Sequence, residues 1–157
     1  MILTTINDRL MKPLNWTIVL CMAFLTVMIF LQIVNRFVFK IPMPWTDEFA
    51  KYSFVWLAMY GSAKAVREKS HIFVDILDMY LKGTPGKICS YVAEIISLIF
   101  YLILLAVSAP WALENMDVLA DSVKISMGFF YTCVPIAATL MVLFSVENLL
   151  IRMKEVK

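Results

Sequence analysis

The chain has 157 residues, 62% of them hydrophobic and 17% charged, with a formal net charge of +2 and a mean hydropathy of +0.82. An ordinary soluble domain is roughly 45 to 50% apolar and 25% charged, so 14 Lys+Arg and 12 Asp+Glu are too few to cover a soluble core of this length. A soluble enzyme, a disordered tail and a disulfide-stapled secreted domain are thereby excluded, and the small net charge gives no reason to expect nucleic-acid binding.

In chain order, Pro13 to Asn35 carries no ionisable side chain, and a helix of that length crosses the hydrocarbon layer. The next apolar segment, 49–66, holds Lys51 and Lys64, which leave only Tyr52 to Ala63 uncharged. Along a helix these lysines lie roughly 20 Å apart at ~1.5 Å per residue, so their stems snorkel to opposite interfaces and the segment reads as a second span. In the connection that follows, His71, Asp75, Asp78 and Lys82 recur at helical spacing among apolar residues. This predicts an interfacial amphipathic helix over 71–82. Gly83 ends it, with Thr84 and Pro85 as N-cap and first helical residue of the third span.

The third span, 87–113, carries one acid, Glu94, close enough to its start for the carboxylate to reach headgroup water; it reads as an interfacial or helix-packing residue, with a polar contact to a partner as the alternative. The fourth, 125–146, is free of charge and closes at Glu147. Pro110 and Pro135 are expected to bend their helices. The predicted fold is an all-α integral membrane protein, a single domain over 1–157 with four transmembrane helices and the interfacial helix. The first span is too long for a cleaved signal peptide and reads as a retained anchor.

With four spans, ten of the 14 Lys and Arg residues lie on the side of the two chain ends, and Arg36, Lys40, Lys51 and Lys124 lie on the other. The positive-inside tendency then predicts both termini in the cytoplasm. Without the second span the asymmetry disappears.

Site chemistry is scarce. One histidine cannot supply paired haem ligands, and Cys21, Cys89 and Cys133 stand singly, as small buried hydrophobes do. The first and last spans hold no acid of the kind an ion-coupled transporter keeps at mid-membrane. No catalytic, cofactor-binding or metal-ligating residue is therefore expected. The densest polar signal joins the first two spans: Asn35, Arg36, Lys40, Pro42, Pro44, Trp45, Thr46, Asp47, Glu48 and Lys51. Two prolines stiffen this connection, and Arg36 pairing with Asp47 or Glu48 would pin the helix ends; an ordinary solvated loop with an aromatic anchor is the alternative.

The stretches NRFVF and PWTDEFAKYSFVWLAMYGSAKAVREKSHIFVDIL resemble the small membrane subunit (DctQ-like) of tripartite ATP-independent periplasmic (TRAP) transporters. The matching positions are Asn35, Arg36, Trp45, Glu48, Lys51, Phe54 to Trp56, Gly61, Ala63, Arg67, His71, Ile72, Val74 and Asp75, with a weaker echo at Tyr131, Pro135 and Ile136. Asp47 stands where the family usually has Glu, and Lys51 where Arg is common.

The resemblance implies four spans, a separate large membrane subunit holding the sodium and substrate sites, and a periplasmic binding protein that delivers an organic acid of the sialic-acid or C4-dicarboxylate class. The small subunit would be a scaffold with no cofactor of its own. On this reading Arg36, Trp45, Asp47, Glu48 and Lys51 are candidate partner or loop contacts, and Arg67, His71 and Asp75 tie the surface helix to the second span. Two other readings stay open, an autonomous small membrane transporter and the membrane anchor of a redox complex.

Overall fold

The computed structural model describes residues 2–41, 43–68 and 84–155, which are helical apart from short connections. Helix α1 spans Ile2–Val34 and continues as a π-helical turn, Asn35–Phe39. Helix α2 spans Pro44–Arg67, α3 Thr84–Glu114, α4 Met127–Tyr131 and α5 Cys133–Glu155. The predicted 71–82 helix, with His71 and Asp75, lies outside the described residues.

Local chemistry sets the ends of α2. Met43 is extended ahead of Pro44 at the first helical position, where a missing N–H costs nothing. The Thr46 hydroxyl donates to the Met43 carbonyl at 2.7 Å. At the other end Lys64 and Arg67 occupy the last turn, where cations suit the helix dipole. Helix α1 starts well before the predicted Pro13, which it accommodates internally. Pro135 acts differently from the expected bend. It removes the N–H that would bond the Tyr131 carbonyl and crowds that carbonyl, and the chain breaks between α4 and α5 at Thr132, one turn upstream.

The long helices form a row in the order α1, α2, α5, α3, each packed mainly on its neighbours, with a light contact from α1 to α5. Ala63 of α2 and Cys133, Ala137 and Ala138 of α5 are fully buried. Such small residues let the backbones approach closely. Tyr60, Tyr101, Met141 and Phe144 fill the remaining core.

Among the described residues, three segments are long and apolar enough to cross a membrane: Asn7–Phe39, Ser90–Glu114 and Met127–Ile151. Helix α2 is not among them, although its 24 residues would reach about 36 Å at ~1.5 Å each. Large apolar side chains such as Trp16, Phe30, Phe100 and Val107 face outward. That is the surface of a multi-pass membrane protein rather than of a soluble bundle.

The connection from α3 to α4 folds back on itself through a single antiparallel bridge, Leu119 to Ser126. Gly128 begins the return and donates from its N–H to the Asn115 carbonyl at 2.9 Å. A β-carbon on Gly128 would lie 2.6 Å from the Ala112 carbonyl oxygen, so glycine is required by the close approach of two backbones.

Candidate functional site

Polar residues gather at the two ends of the row, here called the Trp45 end and the Arg67 end. At the Trp45 end, the first turns of α2 carry Trp45, Asp47, Glu48 and Lys51. The Glu48 carboxylate turns toward the α3–α4 connection and accepts hydrogen bonds from the backbone N–H groups of Ser122 and Val123 at 3.1 and 3.2 Å. Glu48 is therefore a loop clasp across 74 residues of sequence. Arg36 sits exposed in the π-helical turn, and among the described residues no ion pair joins it to Asp47 or Glu48. The expected pin is absent, and Glu48 is held by the loop amides instead.

Aromatic packing supports the clasp. Phe49 meets Phe24 of α1, Trp45 and Phe130 edge to face, with ring centroids 6.0, 6.4 and 6.3 Å apart. Tyr52 stacks on Phe130 at 4.0 Å, and Trp111 on Tyr131 at 4.3 Å. The Trp56 indole N–H donates to the Phe130 carbonyl at 2.9 Å. Between these groups lies an open cleft of about 270 Å³, lined by Glu48, Lys51, Tyr52, Asp121, Phe130 and Tyr131 among others. Lys51 is exposed at its wall, and Trp45 and Asp47 are exposed in the first turn of α2.

At the Arg67 end, one guanidinium joins three helices. Arg67 Nη2 bonds Asp8 Oδ1 of α1 at 2.7 Å, and Nη1 lies 3.1 Å from Glu147 Oε2 of α5. Asp8 is 66% exposed, whereas the Glu147 side chain is 2% exposed and that of Arg67 16%. Asn7 donates from Nδ2 to the same Glu147 oxygen, and Asn148 donates to the Val66 carbonyl at 2.9 Å. Asn7 Oδ1, Glu147 Oε1 and Asn148 Oδ1 are buried without a protein hydrogen-bond partner, so this knot is short of donors.

One helix away, Glu94 accepts from the Ser145 hydroxyl at 2.9 Å and is buried. Of the two expected settings, headgroup water and helix packing, the carboxylate takes the second, as a contact between α3 and α5.

The sequence-predicted residues therefore divide. Glu48 and Arg67 meet partners within the chain, while Arg36, Trp45, Asp47 and Lys51 stay on the surface of the Trp45 end. Asn7, Asp8, Glu147 and Asn148 escaped sequence reasoning. The available signal was an acid-amide pair, Glu147-Asn148, inside a helix that runs on to Glu155. Among the described residues no group of three or more His, Cys, Asp or Glu could hold a metal ion.

Three Haemophilus influenzae proteins are similar to this chain. A sialic acid TRAP transporter permease protein, SiaT, is 35% identical over 71 residues, 45% of this chain and 11% of the relative. A putative TRAP transporter small permease protein is 30% identical over 94 residues, 59% of this chain and 58% of the relative. A second protein of that description is 27% identical over 131 residues, 81% of this chain and 77% of the relative. The chain thus spans about a tenth of SiaT and under two thirds of the first small permease. Residues 25–155 match the family described as tripartite ATP-independent periplasmic transporters, DctQ component. With that match covering most of its length, the chain belongs to the DctQ component family of TRAP transporters.

Proposed function

We propose that the chain is the small scaffold subunit of a TRAP system in a bacterial inner membrane. It supports a large membrane subunit in sodium-coupled uptake of an organic acid, of the sialic-acid or C4-dicarboxylate class, delivered by a periplasmic binding protein. The observation that carries this reading is the use of the buried charges. Arg67, Glu147 and Glu94 are engaged with other helices of the same chain, as a rigid support requires, and sodium coupling and substrate binding fall to the large subunit. The chain on this reading is not an enzyme and needs no cofactor.

The proposal includes four crossings, with α2 as the second. Its lysines lie near its two ends, and α1 and α5 flank it, which shields a helix too polar to face lipid on all sides. Both termini are then cytoplasmic, and the Trp45 end faces the periplasm.

Co-expression with a large TRAP membrane subunit tests the reading. The two chains are expected to elute as one stoichiometric complex, and deletion of this chain should abolish uptake. Transport by the purified chain alone, lost in Glu94→Gln, would instead establish the autonomous transporter, and a haem absorbance band would establish the redox anchor.

A further inference from the structure

Helix α1 has two opposed faces. Asn7, Leu14 and Leu25 are buried, and at 3.6 residues per turn they fall in one narrow sector. Arg9, Lys12 and Trp16 follow one another at i, i+3 and i+7 on the opposite side, where helical neighbours meet, and Leu20, Val27 and Phe30 continue that line along the helix. All six are exposed, Trp16 by 70%, Leu20 by 63% and Phe30 by 65%. Helical phase and exposure agree that this line points away from the row.

Depth follows from length. The crossing segment Asn7–Phe39 has 33 residues, about 50 Å at ~1.5 Å each, whereas the hydrocarbon core is about 30 Å thick. Its first two turns, with Arg9 and Lys12, therefore stand at headgroup depth. Trp16 lies at the boundary that indoles prefer, and Leu20, Val27 and Phe30 lie among acyl chains.

The two cations are uncommitted. At the same end Lys64 pairs with Glu68 at 3.6 Å, and Arg67 takes Asp8 and Glu147. Among the described residues neither Arg9 nor Lys12 forms an ion pair, and the carboxylate next to them in sequence, Asp8, is held by Arg67. A protein helix matches this face poorly. The contact between α2 and α5 is built on Ala63, Cys133, Ala137 and Ala138, small residues of the kind that close helix packing uses, whereas this line presents Trp16, Leu20, Val27 and Phe30. A soluble anion would leave those side chains uncovered. A phosphate carrying acyl chains matches the cations and the apolar line at once.

We infer that Arg9 and Lys12 bind the phosphate of an anionic phospholipid at the Arg67 end, with Trp16, Leu20 and Val27 against its chains. The guanidinium offers a paired donor fork and the ammonium a point charge to the same phosphodiester. The inference rests on α1 crossing the bilayer and not on the proposed role in transport.

The test is native mass spectrometry of the purified protein, with any membrane subunit that accompanies it, equilibrated with equimolar phosphatidylglycerol and phosphatidylcholine in detergent. The wild-type protein should retain phosphatidylglycerol preferentially. Arg9→Gln and Lys12→Gln should each lower the preference about five-fold. Arg9→Lys with Lys12→Arg should keep most of it, which separates charge from folding, and Lys124→Gln, at the other end of the row, should leave it unchanged. Salt near 1 M, where the Debye length is about 3 Å, should erase the preference. Glycerophosphoglycerol, the headgroup without chains, should not displace the lipid. Phosphatidylglycerol brominated on its chains should quench the fluorescence that Trp16→Phe removes. Equal retention by the doubly neutralised variant, an equal loss in Lys124→Gln, displacement by glycerophosphoglycerol, or unquenched Trp16 would overturn the assignment. So would loss of an accompanying membrane subunit from the doubly neutralised variant with lipid preference intact, which would give the cations to a protein carboxylate.

Discussion

Arg67 lies at the C-terminal end of α2, where its charge suits the helix dipole and reaches both an exposed and a buried carboxylate. The exposed partner, Asp8, contributes little, as surface pairs do. Glu147 is different, since a carboxylate at 2% exposure left without its cation is costly. Arg67→Met should therefore destabilise the protein by about 3 to 5 kcal/mol. Arg67→Met combined with Glu147→Met should recover much of that loss, because the buried charge goes with its partner. Thermal unfolding in detergent measures both; equal destabilisation of the single and double variants would show that packing, not charge, dominates. The sequence made Arg67 conspicuous at the end of a predicted span, but its partners lie 59 and 80 positions away, and no local pattern names them.

The connection between α3 and α4 is held by contacts of two kinds. Gly128 admits the α3 backbone so closely that even a methyl group meets main-chain atoms at 2.6 Å. These cannot turn aside as a flexible side chain would. Gly128→Ala is expected to cost about 1 to 3 kcal/mol, read as a lowered melting temperature. Glu48 acts from the opposite side of the connection. Glu48→Ala should speed amide hydrogen exchange at Ser122 and Val123 roughly ten-fold while leaving the cores of α3 and α5 protected. Unchanged exchange there would remove Glu48 from the clasp. The helices themselves were largely legible from charge-free runs and from Thr84 and Pro85, whereas Pro44, read as part of a stiff loop, begins α2. The break at Thr132 was not legible, because Pro135 acts on the carbonyl four residues earlier and the expected bend became an interruption.

Across the whole molecule, the row α1, α2, α5, α3 puts the most buried crossing segment, Met127–Ile151, inside and the least buried, Asn7–Phe39, at an edge. With α2 as a crossing helix, Lys40 and Asp121 face one aqueous side and Glu68 the other. Single cysteines at these positions in a variant lacking Cys21, Cys89 and Cys133 should react with an impermeant maleimide from those sides in intact cells and inverted vesicles. Labelling of Lys40→Cys and Glu68→Cys from the same side would refute the four-span topology.

Membrane character and an all-helical fold follow from the sequence alone, because burial in lipid depends on local composition and length. The family resemblance is likewise a property of short motifs between Asn35 and Asp75. Which polar residues act together was decided only by tertiary structure. Glu147 looked like the end of a span and Glu94 like an interfacial or helix-packing residue, and both are buried between helices. Glu48 looked like a surface acid beside Asp47, yet it holds a loop 74 residues away. The physical reason is that a carboxylate's role depends on the donors that reach it and the water it loses, and here the order in which the helices pack determines both.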